Sequence, residues 1–324
     1  MSSFHYSLNI ARRRPAASIC ERATWTQNAT TVAGGHRFGV TLSQLACPLA
    51  ISVDANQNVY VVDPNNDRIV KWDHDAVRSQ VVAGGHGTGN NNDQLYFPRD
   101  IAIDNEGVIY IYDHGNQRIQ RWRRGASTGN TFLKHKSINC IAVDDEGSLY
   151  VLMSGEVRKW RIGEKTGEVI GSGLNLARYM TVDRNGSVYV SEEYGHRVIK
   201  LNPKTKQISV VAGGSQGSGA DQFNNTWGVA VDQSGTIYVS DYFNHRVMRW
   251  LRGATFGEVI AGGRGKGSQP DQLYHPADLS FDLDGNLYVV DSYNNRVQKF
   301  LIDKRSCDTC KLALICLPNL SLST

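Results

Sequence analysis

Short apolar runs separated by polar turns fill most of this chain, and one arrangement of them recurs. An apolar run ending in Asp, a polar turn and a second apolar run centred on Tyr occur six times. The aspartates are Asp54, Asp104, Asp144, Asp183, Asp232 and Asp282, and the tyrosines are Tyr60, Tyr110, Tyr150, Tyr189, Tyr238 and Tyr288. Successive aspartates are 39 to 50 residues apart, the interval typical of propellers and related repeat arrays. No segment shows a sustained helical period, so an all-β fold is expected.

Each repeat is expected to form four short strands. In the fifth repeat these are GVAVD, TIYVSD, HRVMRW and EVIAGG. The first two strands are joined by D-Q-S-G, and similar Asp-to-Gly turns occur in the other repeats. Asp and Gly tolerate the positive φ angles of tight hairpin turns, so this connection predicts a hairpin.

The order of the strands predicts a closed ring. Six segments read as fourth strands, at 31–35, 81–85, 131–135, 169–173, 210–214 and 259–263. The first of them precedes every inner strand, while the last repeat ends near Phe300 without one of its own. We therefore expect a six-bladed β-propeller over residues 25–303, in which the N-terminal strand completes the last blade and hides the sheet edges.

The predicted ring has a tail at each end, residues 1–24 and a cysteine-containing segment at 304–324. Closure brings Cys20 close to the C-terminal cysteines. A disulfide from Cys20 to either Cys307 or Cys310 is therefore expected.

The segments VSDYFNHRVMRW, VSEEYGHRVIKL and VVDSYNNRVQKF resemble NHL repeats, and the resemblance extends over roughly residues 25–303. It implies the propeller fold. It does not imply one function, because this family includes protein-binding scaffolds, RNA-binding domains, sensor ectodomains and a peptide-amidating lyase. Function therefore has to be argued from a site.

An acid followed five residues later by Arg flanks the second turn in five of the six repeats. A catalytic group is needed once, whereas a structural device is needed once per blade, so these residues are predicted to form turn-closing ion pairs. The pairs are Asp63 with Arg68, Asp113 with Arg118, Glu192 with Arg197, Asp241 with Arg246, and Asp291 with Arg296. The third repeat has Glu156 where the Arg belongs. His245 recurs only as His196, and both are expected to be solvent-exposed turn residues.

The loops between blades predict a functional face. Four connections are long and contain Gln44, Gln94, Gln222 or Gln272 followed by an apolar residue, and they enter blades 1, 2, 5 and 6. The short connections enter blades 3 and 4, where Lys134, His135, Lys136 and Arg178 favour an acidic or peptide partner. Residues that differ between blades at the mouth of the central channel are the candidate partner-binding set, namely Arg99, Asp100, Asn139, Arg178, Tyr179, Trp227 and Asp278.

These patterns favour a non-enzymatic propeller that binds a protein or peptide on the loop-rich face. The alternatives are a metal-dependent lyase or lactonase and a domain that binds single-stranded RNA. The inner strands contain no histidine, and Asp100 with Asp278 are too few for a typical calcium cage, so no catalytic residue, metal or cofactor is assigned. Nucleic acid is disfavoured because the net charge is only +4 and acids such as Asp93 and Asp271 interrupt a basic path.

Compartment is indicated only by weak signals. The cysteines near both termini and the glycosylation sequons at Asn28, Asn185, Asn224 and Asn319 favour an extracellular or ectodomain protein and a glycoprotein. No signal peptide is seen, and no apolar run is long enough for a membrane span. The oligomeric state is left open.

Overall fold

A computed structural model describes residues 19–74, 79–174, 177–305 and 307. Its strands, in chain order, are β1 (Thr24–Trp25), β2 (Thr30–Gly34), β3 (Ile51–Val53), β4 (Val59–Asp63), β5 (Arg68–Trp72), β6 (Ser79–Gly84), β7 (Pro98–Ile103), β8 (Ile109–Asp113), β9 (Arg118–Trp122), β10 (Asn130–Lys134), β11 (Ile138–Val143), β12 (Leu149–Met153), β13 (Glu156–Trp160), β14 (Glu168–Ser172), β15 (Ala177–Val182), β16 (Val188–Glu192), β17 (Arg197–Leu201), β18 (Ile208–Gly213), β19 (Thr226–Val231), β20 (Ile237–Asp241), β21 (Arg246–Trp250), β22 (Glu258–Gly262), β23 (Pro276–Phe281), β24 (Leu287–Asp291), β25 (Arg296–Phe300) and β26 (Ile302–Asp303). Short 3-10 turns occur at Pro64–Asn66, His114–Asn116, Tyr242–Asn244 and Ser292–Asn294.

The strands form six antiparallel four-stranded blades around a central channel, as the repeat pattern predicts. Blades 1 to 5 are β3–β6, β7–β10, β11–β14, β15–β18 and β19–β22, and blade 6 is β23, β24 and β25 completed by β2. The inner strand of every blade lines the channel. Within the described residues, no helix is both long and apolar enough to cross a bilayer.

The apolar core lies between neighbouring blades. In blade 5, every residue of β20 and β21 is buried, because each sheet is covered on both faces. A bulky side chain ends the third strand of each blade, and these six are buried (Trp72, Trp122, Trp160, Leu201, Trp250 and Phe300). Burying one such side chain stabilises the fold by about 1.5–3 kcal/mol, so the blade interfaces hold the ring together.

The repeated Asp and Tyr contact each other in the hairpin between the first and second strands. In blade 5, Asp232 Oδ1 accepts hydrogen bonds from the backbone N–H groups of Ser234 and Thr236. The Tyr238 hydroxyl donates to Asp232 Oδ2 at 3.1 Å, and Gly235 supplies a φ of +86° at the turn. One carboxylate thus fixes both the turn and the strand that follows it, which explains why the pair recurs in register.

The ring closes twice. Strand β2 pairs with β25 and completes blade 6, as predicted, with Thr30 opposite Lys299. Strand β1 also pairs with β26, a contact that the repeat pattern did not predict. Cys20 and Cys307 form a disulfide beside this second closure. Cys310, the other candidate, lies outside the described residues.

Candidate functional site at the channel mouth

The acid–Arg pairs close the turns between second and third strands and also hold the long loops. Arg246 Nε donates to Asp241 Oδ2 at 2.7 Å. The remaining nitrogens of Arg246 donate to the carbonyl oxygens of Ser218, Gly219 and Gln222, in the loop that enters the same blade. The pairs Asp63–Arg68, Asp113–Arg118 and Asp291–Arg296 have the same 2.7 Å contact, and each Arg reaches its own loop in the same way.

Blades 3 and 4 lack this arrangement. In blade 4, Arg197 Nε donates to Glu192 at 2.5 Å, but the Arg197 side chain is 42% exposed, and the connection that enters this blade is short. In blade 3, Glu156 pairs instead with Arg158. These turns and the connections between blades lie on one face, the loop-rich face. Over blades 5, 6, 1 and 2, the long loops form a wall on this face. We call the part over blades 3 and 4 the low side.

His245 differs from the solvent-exposed turn residue expected from the sequence. Its half-buried ring sits on a left-handed residue with φ +55°, and Nδ1 accepts a hydrogen bond from the His275 backbone N–H at 3.3 Å. The same contact to the next blade is made by His196, Asp67 and Asn295, which accept from Asn225, Phe97 and Cys47, respectively. The position varies in the sequence because any short acceptor serves there.

The seven candidate residues gather at the channel mouth. A cavity of about 60 Å³ is lined by Arg99, Asp100, Asn139, Arg178 and Tyr179, together with Leu49, Tyr112, Ile138 and Ala177. Trp227 lies beneath Arg178, and Asp278 lines the central channel. Asp100 and Tyr179 line both the cavity and the channel, so they separate the two.

The two aspartates of this set are buried and tie neighbouring blades together. Asp100 accepts the backbone N–H of Ile101 and, in the next blade, that of Ile141, both at 2.8 Å. Asp278 accepts those of Leu279 and Ile51 in the same way. Burial outweighs these hydrogen bonds and raises the pKa of Asp100 to about 8 and the pKa of Asp278 to about 7.

A stack of aromatic rings orients Arg178. Its guanidinium carbon lies 4.0 Å from the centre of the Trp227 ring, and Trp227 stacks on Tyr242 with a centroid distance of 4.0 Å and an angle of 15°. Tyr242 in turn stacks on His275 at 4.4 Å. The Trp227 indole N–H donates to Glu193 Oε1 at 3.3 Å. Planar guanidinium groups pack well on such faces, so Arg178 is held in place.

Arg99 lies on the other side of the cavity. Its guanidinium carbon is 5.4 Å from the centre of the Phe97 ring. Its Nε is buried and has no hydrogen-bond partner among the described residues. Burial and the neighbouring charge of Arg178 lower the pKa of Arg99. Across the described part of the chain, neither Arg99 nor Arg178 has an acidic side chain within ion-pair distance.

Sequence reasoning missed Glu193 and Tyr242, which support Trp227 from two sides. Both residues directly follow the turn acid of their blade, where other blades have Pro64, His114 or Ser292. The residue type at this position differs between blades, as it does at the candidate positions of the inner strands. This difference is the sequence signal that points to both residues.

Three segments match the NHL repeat family, at residues 95–122, 223–249 and 273–300. Each runs from just before the inner strand of a blade to the end of its third strand, in blades 2, 5 and 6. The chain is a six-bladed propeller that contains NHL repeats. No curated protein matches the sequence significantly.

Solved structures share the fold of this NHL propeller at low sequence identity. An auxiliary nutrient binding protein from Bacteroides thetaiotaomicron is 16% identical, with coverage of 85% of this chain and 76% of that one and a TM-score of 0.67. A putative gluconolactonase is 15% identical, with coverage of 90% and 94% and a TM-score of 0.61. Virginiamycin B lyase from Staphylococcus aureus is 10% identical, with coverage of 86% and 99% and a TM-score of 0.58. These similarities show the fold alone.

The carboxylates at the mouth are the side chains to consider as metal ligands. No three of the described His, Cys, Asp and Glu side chains lie together in a way that could hold one. Both oxygens of Asp100 and both oxygens of Asp278 already accept backbone N–H groups. Both carboxylates therefore join neighbouring blades.

Proposed function

We propose that this NHL propeller is a non-enzymatic binding protein that holds a protein or peptide partner on its loop-rich face, around the channel mouth. One observation carries the proposal. The non-repeating residues Arg99, Arg178 and Trp227 converge at the mouth, beside the low side of the wall. The propeller fold requires none of these three side chains.

The chemistry of this surface suits recognition of a polypeptide. Arg, Trp and Tyr are the residues that most often dominate binding at protein interfaces, since they combine a large contact area with directional polar groups. Two aromatic side chains stand exposed on the same face, Tyr194 at 63% and Phe243 at 46%, whereas Trp227 is buried beneath Arg178. The connections into blades 3 and 4 are short in sequence, and their described residues leave an extended segment access to the mouth.

The alternatives have less support. A metal-dependent reaction would need ligands that the described side chains at the mouth do not supply. For single-stranded RNA, a basic path along the face would be needed. Arg264, one of its candidate cations, lies 3.5 Å from the Asp271 carboxylate, which offsets its charge.

A selection from a random peptide library on the immobilised propeller tests the proposal. We expect enriched peptides that bind the wild-type protein and lose binding to the double variant Arg99→Ala/Arg178→Ala. The matched control is Arg124→Ala/Arg252→Ala, which removes two arginines beside the Asp-to-Gly turns on the opposite face. If no peptide is enriched, or if every enriched peptide binds the mouth variant as well as wild type, the proposal is wrong.

A further inference from the structure

We infer that the cavity between Arg99 and Arg178 receives the side-chain carboxylate of an Asp or Glu residue in the bound peptide. This inference rests on the proposed function and names the chemistry of the partner. It makes the cavity a specificity pocket, while the surrounding aromatic surface contributes contact area.

The first support is the position of the two guanidinium groups. They belong to blades 2 and 4 and line one cavity, whose wall in blade 3 is Asn139. The Asn139 amide Nδ2 has a single long contact, to the Ala177 carbonyl oxygen at 3.4 Å. Asn139 is also exposed, so the cavity opens to solvent on the low side. A side chain entering there meets donors from three blades.

The second support is an unsatisfied donor and the lack of ion pairs at both arginines. Arg99 Nε is buried without a partner, and among the described residues neither Arg99 nor Arg178 forms an ion pair. Leaving a buried donor unpaired costs about 1–3 kcal/mol. A guanidinium offers parallel N–H groups whose geometry matches a carboxylate. An entering carboxylate would satisfy donors that the protein itself leaves open.

The third support is the positive charge around the cavity, which favours an anion. Arg99 and Arg178 both line the cavity, and among the described residues neither forms an ion pair. Burial raises the pKa of the Asp100 carboxyl to about 8, which favours its neutral form. Burial also raises the pKa values of the Tyr112 and Tyr179 hydroxyls, which stay neutral. An entering carboxylate would therefore offset part of the charge of the two guanidinium groups.

The fourth support is preorganisation. Arg178 is held on Trp227, and Arg99 packs near Phe97, so neither side chain has to be ordered when a ligand arrives. Ordering a flexible side chain costs about 0.5–1.5 kcal/mol on binding. The cavity avoids much of this cost.

The test uses the selected peptides, synthesised with acetylated N-termini and amidated C-termini so that only side chains carry carboxylates. Each Asp is replaced in turn by Asn and each Glu by Gln, and affinities are measured by calorimetry. We expect one replacement to weaken binding to the wild-type propeller by at least about tenfold. The same replacement should weaken binding to Arg178→Gln by a clearly smaller factor than binding to wild type, because one of the two guanidinium partners of the carboxylate is then absent.

A second variant guards against loss of folding. Arg178→Lys keeps the charge but not the forked geometry, and it should bind the acidic peptide with intermediate affinity. The inference is overturned if no acidic replacement weakens binding, or if inorganic phosphate displaces the peptide far better than acetate does. In both cases, loss of binding in Arg99→Ala/Arg178→Ala would still support the proposed function. The two ideas can therefore fail separately.

Discussion

The Tyr179 hydroxyl donates a hydrogen bond to the Leu49 carbonyl oxygen at 2.8 Å, although the two residues are 130 positions apart in the chain. Tyr179 lies on β15, the inner strand of blade 4, and Leu49 lies just before β3, the inner strand of blade 1. Blades 1 and 4 stand opposite each other in a ring of six. The tyrosine therefore crosses the channel and joins its two halves directly, beneath the cavity that contains Arg99 and Arg178.

Replacing Tyr179 with Phe removes this bond and little else. The Leu49 carbonyl loses its partner, so the free energy of unfolding should fall by about 1–2 kcal/mol. Urea unfolding followed by tryptophan fluorescence measures the change. Tyr194→Phe is the control, because Tyr194 is 63% exposed and its loss should have little effect. Equal stabilities for the two variants would show that the cross-channel bond contributes nothing.

Replacing the arginine of a turn pair should destabilise the fold more when the pair is buried than when it is exposed. In Arg246→Ala the buried Asp241 carboxylate loses its ion-pair partner, and three loop carbonyl oxygens lose their donor. We therefore expect the free energy of unfolding to fall by about 3–5 kcal/mol. Arg197→Ala removes a half-exposed partner of Glu192 and should cost at most about 1 kcal/mol. Thermal and urea unfolding of both variants compares them. A larger loss for Arg197→Ala would contradict the structural role assigned to the loop contacts.

The disulfide should stabilise the ring strongly. Cys20 and Cys307 are 287 residues apart, so cross-linking them restricts the unfolded chain, and the double variant Cys20→Ser/Cys307→Ser should lose about 3–5 kcal/mol. Cys47→Ser, at a half-buried free cysteine, is the control. Unfolding is measured with and without a reducing agent. If the reductant destabilised the double variant as much as wild type, another bond would be responsible.

The buried aspartates make stability depend on pH. Their folded pKa values, about 8 for Asp100 and about 7 for Asp278, lie above the ordinary 3.8, so the folded protein keeps protons that the unfolded chain releases. This contribution is complete below about pH 4 and is lost as pH rises through about 7 to 8. Between about pH 5 and pH 7, the free energy of unfolding of the wild-type protein should fall as pH rises. In Asp100→Asn this slope should be smaller by up to about 1.4 kcal/mol per pH unit. Exposed Asp221→Asn should keep the wild-type slope, and a wild-type slope in Asp100→Asn would refute the shift.

Much of the fold could be predicted because each blade repeats the same local contacts. The bond from Tyr238 to Asp232 lies within one hairpin, and its counterparts set the register that a sequence comparison detects. The candidate residues at the mouth were chosen at equivalent positions of the inner strands, and their role in binding stays a prediction. The reach of Tyr179 to Leu49 could not be predicted, since it depends on how two opposite blades face each other. The role of His245 was missed for a similar reason, because its acceptor contact reaches the next blade.

Each long loop is bound by the turn arginine of the blade it enters, as Arg118 binds the carbonyl oxygens of Asn90, Asn91 and Gln94. A loop and its turn therefore form one transferable unit. Exchanging such a unit would reshape one sector of the face, and the new loop would need to keep its backbone N–H bond to the turn of the preceding blade, as Phe97 does with Asp67. The shape of the loop-rich face can thus diversify sector by sector while the blades keep the same strands.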